Sequence, residues 1–180
     1  TSFGQNYAGQ RYFMTVLPKP EGAVPRRVVK KVDLLWDSSL SAQNRNLERE
    51  LAVLEAYFKK FSNLNVRLIR FRNVLEPIQS YAVNAGNWSA LRAELEKTVY
   101  DGATNFDALS CAAVNGCVGI SERLLFSDGL DNASLRQIST SSVPLYVLSS
   151  NVKSDPAKLK YLTLNSGGAY LDLTRLTAAQ

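Results

Sequence analysis

The stretch Val32-Asp33-Leu34-Leu35-Trp36-Asp37-Ser38-Ser39-Leu40-Ser41 constrains this chain more than any other. Leu34, Leu35 and Trp36 form a short apolar run, as expected of a strand covered on both faces. The run stops at Asp37-x-Ser39-x-Ser41, and a helical pattern begins just after Ser41. A buried strand entering a helix through a short polar loop predicts an α/β unit. Open α/β sheets place their ligand sites in such loops, at the C-terminal ends of strands.

One carboxylate and two hydroxyls are hard, oxygen-only donors. They suit Mg²⁺, Mn²⁺ or Ca²⁺ rather than zinc or copper. Alternating positions in an extended loop point the same way, so Asp37, Ser39 and Ser41 can converge on one ion. Three donors leave an octahedral shell incomplete, so others must come from elsewhere in the chain, from water or from a partner. The competing reading is structural: Asp and Ser ahead of a helix are common N-caps that satisfy free backbone N–H groups.

Composition narrows the function classes. A length of 180 residues allows one full domain with a sizeable core. Apolar content of 46% and charged content of 21% are ordinary for a globular protein. No run of about eighteen apolar residues occurs, so no membrane span is expected. The chain is expected to be a piece of a longer multidomain protein. The net charge of +5 is spread, apart from Arg26, Arg27, Lys30 and Lys31 at the entrance of the central strand, so no nucleic-acid patch is expected. The absence of histidine removes Ser-His-Asp and Cys-His catalysis, and two cysteines cannot build a four-ligand zinc site.

Along the chain, residues 1–10 read as a loose terminus, and Arg11 to Leu17 as a β-prone edge strand. A proline-stiffened linker follows over 18–25. Strand one runs from Val28 to Trp36. A helix is expected from Ala42 to Phe61, with Leu47, Leu51, Leu54, Phe58 and Phe61 on its apolar face and Glu48, Arg49, Glu50, Lys59 and Lys60 opposite. Asn65 to Arg72 is a strand, and Pro77 to Val83 an antiparallel edge strand. Asn87 caps a helix bearing Trp88, Leu91 and Leu95. A second helix is expected from Phe106 to Val114, ended by Asn115-Gly116. Arg123 to Ser127 is another buried strand, followed by a short helix near Ala133 with Asp131 or Asn132 as cap. A strand over Val143–Leu148, a helix over Asp155–Leu164 and a strand over Ala169–Leu173 complete the order. The pattern predicts a doubly wound α/β sandwich, mostly parallel, with helices on both faces and one antiparallel edge strand. The division expected is 1–27 for the first strand and linker and 28–180 for the domain.

Three loops fall at the same end of this sheet: Asp37-x-Ser39-x-Ser41, Gly102-Ala103-Thr104-Asn105, and Ser127-Asp128-Gly129. If strand one and the strand ending at Phe126 are neighbours across a switch in strand order, the loops surround one crevice. They would bring together Asp37, Ser39, Ser41, Thr104 and Asp128, an all-oxygen site with two carboxylates.

Leu35-Trp36-Asp37-Ser38-Ser39-Leu40-Ser41, Asp101-Gly102-Ala103-Thr104-Asn105-Phe106 and Leu125-Phe126-Ser127-Asp128-Gly129 resemble the three motifs of the von Willebrand factor type A (vWA) domain. The likeness runs from about Val28 to Leu173. In that family the motifs form the metal-ion-dependent adhesion site, and all five signature positions are filled here. Ser166-Gly167-Gly168-Ala169-Tyr170 is similar to the family's final turn and strand. Leu40 departs from the glycine of many bacterial members. The opening strand and Pro-rich linker are similar to the segment that joins vWA domains to an inter-alpha-trypsin-inhibitor-type (VIT) domain. The resemblance implies a Rossmann-like fold and one divalent cation, Mg²⁺ first and Mn²⁺ or Ca²⁺ as alternatives. It further implies adhesion in place of turnover, with an Asp or Glu of a protein partner completing the metal's coordination.

Leu40, Phe106 and Leu130 adjoin these loops and are candidate partner contacts, with packing as the competing role. Trp36 and Trp88 are expected in the core. Cys111 and Cys117 are six apart, and a break at Asn115-Gly116 would let them bridge; a disulfide would fit an exported protein and free thiols a cytosolic one. A cell-envelope or extracellular setting is favoured over the cytoplasm. An aspartyl-phosphate enzyme would need a second acid close to Asp37 and a lysine nearby, but the position two after Asp37 is Ser39 and no lysine lies in the three loops. A scaffold that has lost its metal is disfavoured by the retention of all five donors.

Overall fold

A computed structural model describes residues 2–15, 28–130, 143–164 and 166–176. The first described segment is a hairpin. β1 (Ser2–Tyr7) pairs antiparallel with β2 (Gln10–Thr15) as a two-stranded sheet of its own. Ala8 and Gly9 at its turn both have positive φ (48° and 75°), the geometry that matches the twist of paired strands. The terminus expected to be loose is thus a strand, and the edge strand expected over Arg11–Leu17 pairs with it and not with the main sheet.

Alternation along β3 (Lys31–Asp37) sets the rest of the architecture. Val32, Leu34 and Trp36 enter one apolar cluster and Leu35 the other. A strand buried on both faces belongs mid-sheet. β3 lies parallel to β4 (Leu64–Phe71), which carries the antiparallel edge strand β5 (Gln79–Val83). On its other side β3 lies parallel to β6 (Glu122–Phe126), followed by β7 (Leu145–Ser149) and β8 (Tyr170–Asp172), also parallel. The strand order is β5-β4-β3-β6-β7-β8. The doubly wound, mostly parallel sheet with one antiparallel edge matches the expectation.

Helices cover both faces. α1 (Leu47–Lys60) starts where the Asn46 side chain accepts from Arg49 N. Glu48 and Glu50 stand in its first turn and Lys59 and Lys60 in its last, complementing the helix dipole. It buries Leu51, Leu54 and Phe58 beside Leu91 and Leu95 of α2 (Ser89–Glu96) and Trp88 just before it. α3 (Pro156–Thr163), capped by Asp155 and opened by proline, packs Leu159 and Leu162 on the opposite face. Among the described residues no helix is long and apolar enough to cross a membrane.

Several boundaries differ from expectation. Ser41–Asn44 is a separate 3-10 turn, and α1 begins only at Leu47, because Asn46 provides the cap. Glu50 is buried, not on the solvated face. Trp88 occupies the cap position of α2, while Asn87 Oδ1 accepts from Ser89 N. The helix expected over Phe106–Val114 shrinks to a 3-10 turn, Phe106–Leu109. Side chains from the sheet hold this segment instead: Arg123 donates to Leu109 O, and Arg67 to Val114 O and Gly116 O. Asn115 and Gly116 both have positive φ, and Cys111 and Cys117 close a disulfide across the break, with Cα atoms 5.2 Å apart. The Pro-rich linker, Arg26, Arg27 and the helix near Ala133 with its caps Asp131 and Asn132 lie outside the described residues.

Candidate metal site

The chain leaves β3 toward β4 and leaves β6 toward β7, in opposite directions across the sheet. This switch opens a crevice at the C-terminal ends of β3 and β6. Asp37 ends β3, and the backbone then turns through Ser38 to Ser41. The second loop is tied to the first by two backbone bonds, Leu40 N to Gly102 O (3.0 Å) and Asp101 N to Ser38 O (2.9 Å). The third is tied to it by the Ser127 hydroxyl, which donates to Asp37 Oδ2 at 2.5 Å. Gly129 has φ of 77°, and a Cβ there would sit 2.9 Å from Leu159 Cγ, so only glycine lets this loop lie against α3.

Within the crevice, Asp37 Oδ1 accepts from Ser39 N at 2.9 Å, an Asx turn that aims the two serines together. Ser39 Oγ and Ser41 Oγ are 3.2 Å apart. Asp128 Oδ1 accepts from Leu130 N at 3.0 Å. Asp37, Ser39, Thr104 and Asp128 are buried, and Ser41 is half-buried. The structure therefore brings the three signature loops to one place. Burial pushes the Asp37 carboxyl above the ordinary carboxylate range; hydrogen bonds from Ser127 and Ser39 and the Arg45 charge pull it partly back. A carboxylate so desolvated gains from a neighbouring cation. Among the described residues no group of three or more His, Cys, Asp or Glu is placed to hold a metal. The donor set is instead two carboxylates with hydroxyls, which fits a hard divalent ion.

A layer of residues behind the loops was not visible in the sequence. Arg45 is buried against the Trp36 ring, 4.3 Å from its centroid. Its guanidinium donates to Asp37 O (2.5 Å) and Ala42 O (3.0 Å) and pairs with Glu50 (3.1 Å). Ser150 Oγ donates to Glu50 Oε1 at 2.7 Å and accepts from Asn46 N at 2.7 Å. Asn151 reaches Ser41 and Asp128. The only prior signal for the last two was a polar Ser-Asn pair at the end of an apolar strand.

Of the residues considered for partner contact, Leu40 is 52% exposed and Leu130 40% exposed. Phe106 is not at the surface. It is fully buried, with its ring centroid 5.7 Å from that of Phe71 and Lys158 Nζ 5.4 Å from its own. Loop adjacency suggested exposure, but the 3-10 turn rotates Phe106 inward, where its apolar area is worth more. Trp36 and Trp88 are core residues, as expected.

No family model matches this sequence, and no curated protein matches it. Solved structures do resemble it. An aerotolerance-related membrane protein from Bacteroides fragilis superposes with a TM-score of 0.57 at 13% identity, over 79% of this chain and 90% of that one. A von Willebrand factor type A protein from Catenulispora acidiphila gives 0.55 at 11% identity, over 84% of this chain and 39% of that one. The PilB minor pilin from Streptococcus sanguinis gives 0.56 at 11% identity, over 84% and 58%. The chain thus spans less than two thirds of the latter two proteins. With the strand order and the helices on both faces, these likenesses give the chain the α/β, Rossmann-like fold of a von Willebrand factor type A domain.

Proposed function

We propose that this chain is a metal-dependent protein-binding module. Asp37, Ser39, Ser41, Thr104 and Asp128 hold one divalent cation, Mg²⁺ first and Mn²⁺ or Ca²⁺ as alternatives, and an Asp or Glu of a protein partner joins it. The observation that carries this reading is the oxygen-only crevice at the switch point, where two serine hydroxyls 3.2 Å apart meet two buried carboxylates. A dication there supplies a strong, directional contact for a carboxylate. Asp37 and Asp128 offset part of its charge, while the neutral hydroxyls leave it attractive to an acid. Leu40 and Leu130 are the exposed side chains beside it and would touch the partner.

The setting we propose is the cell envelope or the extracellular space. The Cys111–Cys117 bridge supports it, since disulfides persist in oxidising compartments. The presence of a membrane protein and a minor pilin among the structural neighbours agrees with it. Residues 28–180 form the vWA domain in this reading, and 1–27 belong with an upstream domain of the VIT kind.

The test is a thermal melt in chelator and then in millimolar Mg²⁺, Mn²⁺ or Ca²⁺, on the chain and on Asp37→Ala. A ligand present at a hundred times its dissociation constant stabilises the fold by about 2.7 kcal/mol. For a domain of this size that is roughly 5–11 °C. A rise with one metal that is absent in the variant supports the proposal; no rise with any of the three overturns it.

A further inference from the structure

The signature residues supply the donors of the crevice, but they do not explain what holds Asp128 in register with the first loop. Beyond the Ser127–Asp37 bond, one further side chain makes that link. Asn151 Nδ2 donates to Asp128 Oδ2 and to Ser41 O, each at 3.3 Å. Its Oδ1 accepts from Lys153 N at 2.9 Å, which fixes the plane of the amide. Asn151 is buried and follows directly on Ser149 and Ser150 at the C-terminal end of β7. Asp128 Oδ1 is meanwhile taken up by Leu130 N. Both carboxylate oxygens are thus engaged from fixed directions, and the amide also pins the backbone of Ser41.

We infer that Asn151 is a positioning residue for the metal site, setting both its affinity and its preference among divalent ions. The inference rests on the metal-binding reading above. An amide suits the role because its NH₂ group is donor-only, so it orients a carboxylate without competing for the cation. It is also neutral, so it leaves the site with two negative charges. Outer-shell partners of metal ligands typically cost 10–100-fold in affinity when removed. Mg²⁺ demands near-ideal octahedral geometry, whereas Ca²⁺ tolerates loose and variable shells. Freeing Asp128 and Ser41 from a common clamp should therefore weaken Mg²⁺ more than Ca²⁺. A merely structural loss would not discriminate between the ions.

The experiment is calorimetric titration of Mg²⁺ and of Ca²⁺ into the full chain, Asn151→Ala, Asn151→Asp and Asp37→Ala, with melts of each in chelator. The expected result for Asn151→Ala is a roughly 10–100-fold loss for Mg²⁺ and a clearly smaller loss for Ca²⁺. Asn151→Asp puts a third carboxylate against Asp128, so it should melt lower than wild type in chelator and show a larger metal-induced rise. This second variant decides the matter if Asn151→Ala does not fold. Wild-type affinity in Asn151→Ala, equal losses for both ions, or an unchanged metal-induced rise in Asn151→Asp would each overturn the inference. If the wild-type chain binds neither ion, the metal-binding reading itself fails; if it binds and only Asp37→Ala loses binding, this inference fails alone.

Discussion

Asp33→Ala should be among the most damaging single substitutions away from the crevice. Asp33 is fully buried in mid-sheet, and the strand register places Arg67 on one side of it and Arg123 on the other. Arg67 grips it with two bonds, Nε to Oδ1 at 2.7 Å and Nη2 to Oδ2 at 2.8 Å, and Arg123 Nε lies 3.6 Å from Oδ2. The two arginines then reach outward to Leu109 O, Val114 O and Gly116 O. One carboxylate thus anchors the whole disulfide loop to the sheet. Removing it leaves two guanidiniums, with side chains only 12% and 4% exposed, without their counter-charge. Breaking a buried pair in this way costs about 3–5 kcal/mol, which for a domain of this length lowers the melting temperature by roughly 6–20 °C. Urea unfolding followed by Trp36 and Trp88 fluorescence gives the free energy, and amide exchange over residues 109–116 reports the loosened loop. The triple replacement Asp33→Leu, Arg67→Met and Arg123→Met should recover much of the loss, because it removes the charges together. A loss below about 1 kcal/mol for Asp33→Ala, with exchange unchanged, would refute the reasoning.

Four further outcomes can be measured. Replacing both Cys111 and Cys117 by serine removes a closure over 6 residues, which on chain entropy costs about 2 kcal/mol, read from the melt. Phe106→Ala should cost about 3–5 kcal/mol by opening a cavity against Phe71, while Leu40→Ser and Leu130→Ser should stay within about 0.5 kcal/mol of wild type. Gly168→Ala places a Cβ 1.9 Å from Leu145 O, a backbone clash that no rotamer relieves, so the variant should fail to accumulate as folded protein. Arg70 holds Glu94 below the ordinary carboxylate range through a hydrogen bond of 2.8 Å. A lowered carboxylate adds stability that is present above its unfolded pKa, about 4.3, and is lost as pH falls through the folded value. The melting advantage of wild type over Glu94→Gln should therefore hold from neutral pH down to roughly pH 5 and fade below it; an advantage undiminished at still lower pH would contradict this origin.

What was legible in the sequence, and what was not, divides along a physical line. Patterns that a residue makes with its own chain neighbours can be read directly. Leu34-Leu35-Trp36 announces a strand buried on both faces, and the spacing of Leu51, Leu54 and Phe58 announces one helix stripe. A shared crevice for the three loops requires β3 and β6 to be neighbours at a switch point, and the observed strand order meets that condition. Features made by partners distant in sequence cannot be read this way. Arg67 and Arg123 look like ordinary charges on strands until the register sets Asp33 between them. Through Leu109 O, Val114 O and Gly116 O they hold a segment where local pattern alone predicts a longer helix. Glu50 looks like a solvated residue because its neighbours Glu48 and Arg49 are, yet Arg45 and Ser150 draw it inside. The first-loop signature is local and legible; Asn151, which ties it to Asp128 across 110 and 23 residues of chain, is not local and leaves no such pattern. The proposed metal site therefore shows its candidate donors in the sequence but hides the side chains that orient them. Under the proposal, those side chains are where affinity and ion choice would be set, because an oxygen-only donor set suits Mg²⁺, Mn²⁺ and Ca²⁺ alike.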